Sequence, residues 1–110
     1  MEKLRFLVQG SSPEPYEVVF TRQGVNLTAT CTCPAGTVGQ YCKHRFALMA
    51  GESTGVVGGD TDKIESVVEM LDGTDVAEAL AGVNAAEERL ADAKKILANY
   101  KKKLARAMRD

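Results

Sequence analysis

Residues 31–46 read CTCPAGTVGQYCKHRF, and four side chains in that stretch decide how the rest of the chain is organised. Cys31, Cys33 and Cys42 are the 3 cysteines of the 110-residue chain, and His44 is its 1 histidine. Every soft ligand the protein owns therefore falls between positions 31 and 44. An odd number of cysteines packed so closely argues against a disulfide framework. Two short pairs, Cys-x-Cys and Cys-x-His, suit one shared ion better.

Zinc takes four donors in a tetrahedron, with sulfur at ~2.3 Å and imidazole nitrogen at ~2.0–2.1 Å. On a strand, positions i and i+2 point to the same side, so Cys31 and Cys33 can both face one ion. Cys42 and His44 would diverge on a regular helix. They are expected to straddle a helix's first turn, with Cys42 near the N-cap, where the helix dipole favours thiolate. The glycines between the pairs let the second swing back to the first. Iron–sulfur ligation competes poorly, because such clusters prefer four thiolates. One structural Zn2+ held by Cys31, Cys33, Cys42 and His44 is the expectation. Three thiolates, a neutral imidazole and Zn2+ sum to −1, which Lys43 and Arg45 can offset unless they are simply a solvated surface pair.

Upstream, LRFLVQ (4–9), YEVVFTR (16–22) and VNLTAT (25–30) read as three strands of a small antiparallel sheet, broken by SSPEP (11–15) and Gln23-Gly24. The last strand leads directly into Cys31. PAGTVGQ (34–40) reads as loop, and Cys42 to Ala50 as a short helix ending at Gly51. GESTGVVGGD (51–60) is expected to be a flexible linker. It lacks the Gly-Lys-Ser/Thr ending of a phosphate loop.

Asp62 and Glu65 resemble a capping box that opens a short helix over 62–72, stopped by Asp72-Gly73. Thr74 is a plausible N-cap for a second helix over 75–108. There Val76, Val83, Leu90, Leu97 and Leu104 recur every seventh position, followed three later by Ala79, Ala86, Ala93, Tyr100 and Ala107. A helix of that length spans ~50 Å, whereas a helix over 62–72 covers at most ~17 Å. One short helix cannot shield the whole seam, so a second copy of the long one is expected to do so. Val76, Val83, Leu90, Leu97, Tyr100 and Leu104 are the candidate contacts of a homodimer. The fold expected is α+β: a zinc-binding domain over 1–51, a linker over 52–61, and a helical hairpin or coiled coil over 62–110.

The wording around the ligands extends further. CTCPAG followed by YCKHRFALM is similar to the SWIM-type zinc finger, with its Cys-x-Cys-Pro and its Cys-Lys-His-x-x-Ala-Leu. The resemblance covers residues ~4–51 and implies a β-β-α finger whose zinc is structural and whose surface binds DNA or proteins. SWIM fingers are usually appended to larger machines such as transposases and helicase-like ATPases. This chain carries no second catalytic domain and is read as a small stand-alone protein.

Charge is uneven. Residues 1–50 carry five Lys/Arg against three Glu, 51–72 one Lys against six acids, and 73–110 eight Lys/Arg against six acids, giving +2, −5 and +2 for the net −1. From Lys94 onward there are seven bases and one acid. Arg5, Arg22, Lys43 and Arg45 on the finger, with Lys101, Lys102, Lys103 and Arg106 on the helix end, are therefore candidate phosphate contacts for DNA or RNA. A basic helix end is also favoured by its own dipole. Catalysis is not expected: four protein ligands leave zinc no open position, and there is no second histidine to act as a base. The expected role is a protein–protein adaptor that self-associates, with nucleic-acid binding as the alternative. No stretch reaches the ~20 apolar residues of a membrane span, and the N-terminus lacks the pattern of a signal peptide. A cytoplasmic location is expected.

Overall fold

In a computed structural model, described for residues 2–109, the elements run β1 (Glu2–Val8), β2 (Tyr16–Gln23), β3 (Asn26–Cys31), α1 (Pro34–Thr37), α2 (Lys43–Met49), β4 (Val56–Gly59), α3 (Ile64–Leu71) and α4 (Asp75–Arg109). The fold is α+β. Its sheet is antiparallel with strand order β3-β2-β1-β4.

Alternation sets the sheet's two faces. In register, Leu4 lies opposite Phe20, Phe6 opposite Val18, and Val18 opposite Cys31. These residues share one face with Val8 and Leu27, and all are buried. Phe6 and Phe20 meet edge to face at 6.2 Å, a favoured aromatic geometry. Leu48 and Met49 of α2 and Val67, Met70 and Leu71 of α3 complete the core. Cys31 is thus delivered to the buried side by the same two-residue period that buries Phe20.

The segment expected as a flexible linker is corrected by β4. Phe6 pairs with Gly59, Leu7 with Gly58, and Val8 with Val56 across a bulge. Asp60 extends the pairing, its backbone N–H donating to Arg5 O at 2.8 Å and its carboxylate accepting from Arg5 N at 2.9 Å. Glycine is what permits this edge. Gly59 has φ +83°, and a Cβ there would collide with the Arg5 carbonyl. A composition that resembles a linker is here a strand lying tight against its neighbour. The compact unit accordingly runs from the N-terminal strand through Ala77, and residues from Glu78 onward form a second unit.

Two further details differ from expectation. The Pro34–Thr37 loop contains one turn of helix, with Pro34 in its first turn, where a missing N–H costs nothing. Helix α3 starts after Lys63 with no side-chain cap, so Asp62 does not form the capping box. Thr74, by contrast, does cap α4, its hydroxyl accepting from Ala77 N–H at 3.2 Å.

Helix α4 is 35 residues long with no buried residue, about 52 Å at 1.5 Å per residue. Among the described residues, no helix is long and apolar enough to cross a membrane.

Candidate metal centre

Each of the four ligands sits where an element begins or ends. Cys31 closes β3. Cys33 is the N-cap of α1, its sulfur accepting from Gly36 N–H at 3.3 Å. Cys42 is the N-cap of α2 with extended backbone, φ −131° and ψ 117°. His44 lies one residue into that helix, so the Cys-x-His pair straddles the first turn as its spacing predicts.

The three cysteines are buried free thiols and His44 is partly buried. All four donor atoms lie within 4.8 Å of one another. Cys33 Sγ and Cys42 Sγ are 3.3 Å apart, and His44 Nδ1 lies 3.5 Å from Cys42 Sγ and 3.8 Å from Cys31 Sγ. Ordinary zinc bond lengths in a regular tetrahedron give donor separations of about 3.6–3.8 Å. Both the set, three sulfurs and one imidazole, and its spacing therefore fit one structural zinc ion. It is the Nδ1 side of His44 that faces the sulfurs.

Close packing holds these donors in place. A Cβ at Gly36 would come within 2.4 Å of the Cys31 carbonyl oxygen and 2.8 Å of Cys31 Cβ, so only glycine lets α1 lie against the end of β3. On the other side, a Cβ at Gly10 would reach 2.6 Å from the Tyr16 ring and 3.2 Å from His44 Nε2. The Tyr16 ring is 5.1 Å from that of His44, centroid to centroid. Neither glycine carries a local signal of this role in the sequence.

The thiols are not equivalent. Burial is the main force on Cys31; the Cys33 backbone N–H works against it, but Cys33 and Cys42 side chains add to it, and the thiol is pushed up to about 12. At Cys42 burial acts in the same direction. There the Arg45 backbone N–H and hydrogen bonds from Cys33, Cys31 and His44 outweigh it, and the thiol is lowered to about 6.

One comparison with known families bears on the type of centre. Residues 6–50 match the family model of the SWIM zinc finger. No curated protein and no solved structure matches the chain. The SWIM segment contains β1 from Phe6, β2, β3, α1 and α2, and all four ligands, so the match and the donor cluster agree on a zinc-binding module.

Three of the four candidate bases of the finger make bonds within the chain. Arg5 pairs with Glu17 on the sheet face turned away from the core. Arg22 lies on the opposite face and donates to the carbonyls of Gly24, Met70 and Asp72 at 2.7–3.0 Å. Arg45 donates to Ala29 O at 2.9 Å and to Gln40 O. Those two carbonyls each precede a ligand by two residues, so Arg45 ties the Cys31 strand to the loop before Cys42. It positions ligands and does not simply offset charge. Lys43 is exposed. On α4, Lys101, Lys102, Lys103 and Arg106 are all exposed, with the Lys103 ammonium 5.1 Å from the centre of the Tyr100 ring.

The candidate seam divides in two. Val76 is only partly exposed and belongs to the first unit, next to Asp75, whose backbone N–H donates to Val25 O and whose carboxylate accepts from Leu27 N–H. Val83, Leu90, Leu97, Tyr100 and Leu104 are exposed.

Proposed function

We propose that this protein is a non-catalytic adaptor: a SWIM finger that presents a zinc-shaped surface to a protein partner, on a chain that self-associates through α4. The observation that carries the reading is the exposed seam. Leu90, Leu97, Tyr100 and Leu104 are each 54–64% exposed along one line of a helix with no buried residue. An apolar seam at heptad spacing is a surface for another helix. The metal centre supports the non-catalytic part. An open groove of about 480 Å3 adjoins the cluster, but four protein donors fill a tetrahedral zinc and leave no position for water or substrate.

Nucleic-acid binding is the second reading, favoured by the exposed bases of the last α4 turns. The intramolecular bonds of Arg5, Arg22 and Arg45 weigh against the finger's share in it. One experiment separates the two. The zinc-loaded protein is weighed by sedimentation equilibrium, then titrated with labelled duplex and single-stranded DNA at several salt concentrations. A dimer without DNA binding at micromolar concentration supports the adaptor. Binding that falls steeply with salt supports phosphate contacts instead.

A further inference from the structure

We infer that the occupant of the α4 seam is the α4 of a second copy running antiparallel, an inference that rests on the self-association just proposed. Every residue from Ala81 to Arg109 is exposed. The one ion pair among the described residues, Arg5–Glu17, lies elsewhere, so no described charge of α4 forms an ion pair within its own chain. Their distribution is polar along the helix. The acids Asp75, Glu78, Glu87, Glu88 and Asp92 all precede Lys94, and every base except Arg89 follows Asp92. Two such helices laid head to tail place acidic half against basic half. Laid side by side in the same direction, they place like against like.

The seam residues give the register. A two-fold axis between Ala91 and Asp92 sets Leu90 opposite Ala93 of the second copy, Leu97 opposite its Ala86, and Val83 opposite its Tyr100. Each leucine then faces an alanine, and the helices keep one even, close separation. Parallel pairing would stack Leu90 on Leu90 and Ala93 on Ala93 of the second copy. The leucine layers would then hold the helices too far apart for the alanine layers to touch.

The flanking charges agree. In the antiparallel register Glu87 lies beside Lys94 of the second copy, and Lys94 beside its Glu87, so the pair occurs twice. Within one helix these residues are seven apart, about 10.5 Å along the axis, and cannot pair. In a parallel coil Glu87 would instead lie beside Gly82 of the second copy, and Lys94 beside its Arg89, a repulsive contact.

Lys94 therefore reports orientation by sign. The full-length, zinc-loaded variants Lys94→Glu and Glu87→Lys are compared with the parent by sedimentation equilibrium, singly and as an equimolar mixture. Each variant alone is expected to weaken the dimer about tenfold, since two attractive contacts become repulsive. The mixture restores association, because both contacts of the mixed dimer are again Lys–Glu. Unchanged zinc content and circular dichroism establish that the fold is intact. If either variant fails to fold, Lys94→Gln gives the same sign at smaller size. A dimer that tightens or does not change on Lys94→Glu overturns the antiparallel pairing and leaves self-association standing. A parent protein that remains monomeric at high micromolar concentration overturns self-association itself.

Discussion

At the residue scale the metal centre is a proton-linked device. Near neutral pH the metal-free cluster holds Cys42 as thiolate, because it is lowered to about 6, and Cys31 as thiol, because it is pushed up to about 12. Zinc binds thiolates, so loading displaces at least the Cys31 proton, and the zinc-bound state carries fewer protons than the free one. Affinity must therefore rise with pH. Chelator competition at about pH 7 and pH 8 is expected to show at least a tenfold gain per unit, one displaced proton's worth. The sign holds even where the metal-free chain unfolds, since ordinary thiols are also protonated at pH 7. A flat profile would show that all three sulfurs are already ionised before the metal arrives. Gly36 tests the packing of the same centre. Gly36→Ala drives a methyl into the Cys31 carbonyl, and the relief available is to move Cys33 away from Cys31. Overpacking of this kind costs about 1–3 kcal/mol, so zinc affinity is expected to fall roughly tenfold to a hundredfold. The same substitution at Gly82, which has open space around it, leaves zinc affinity unchanged.

At the element scale, what the sequence makes legible is what has a period. Strands β1 to β3 alternate, α4 repeats every seven residues, and the ligand spacing places Cys42 at a helix start. Strand β4 has no period to read. Val56–Gly59 is short and half glycine, and it is a strand only because Phe6, Leu7 and Val8 present a partner edge. The arginines fail as a readable class for a related reason. An arginine on a strand reads as a solvent-facing charge, and nothing local tells that Arg22 reaches the carbonyls at the C-terminal end of α3. That bond set predicts the outcome of removing it. Arg22→Met keeps most of the stem but leaves Met70 O and Asp72 O without their donor, at a cost of about 1–3 kcal/mol. A thermal melt of the zinc-saturated protein is expected to fall by roughly 5–15 °C. A phosphate-binding role for Arg22 predicts the reverse pattern: an unchanged melt and a shallower salt dependence of DNA binding.

At the scale of the whole molecule, the chain divides its two chemistries between two units. All four zinc ligands precede Ala77, and Val83, Leu90, Leu97, Tyr100 and Leu104 follow Glu78. The sequence displays both groups of residues but places the boundary too early. The helix over 62–72 looks like the start of the helical region, yet Val67, Met70 and Leu71 are core residues of the finger unit. That division predicts how zinc and self-association are coupled. The finger unit has a small sheet and buries limited apolar surface, so it depends on metal binding of order 10 kcal/mol. A chelator is expected to collapse the dispersed amide proton spectrum of residues 2–77. The seam has no zinc ligand in it, and in the proposed dimer it would draw its stability from leucine–alanine contacts and flanking charge, neither of which needs zinc. The sedimentation mass should therefore remain that of the dimer after chelation, and a substantial helical circular dichroism signal should persist from α4. A mass that drops to the monomer when zinc is withdrawn would mean that the finger itself carries the contact between copies, and the adaptor would then be assembled by its metal and not by its helix.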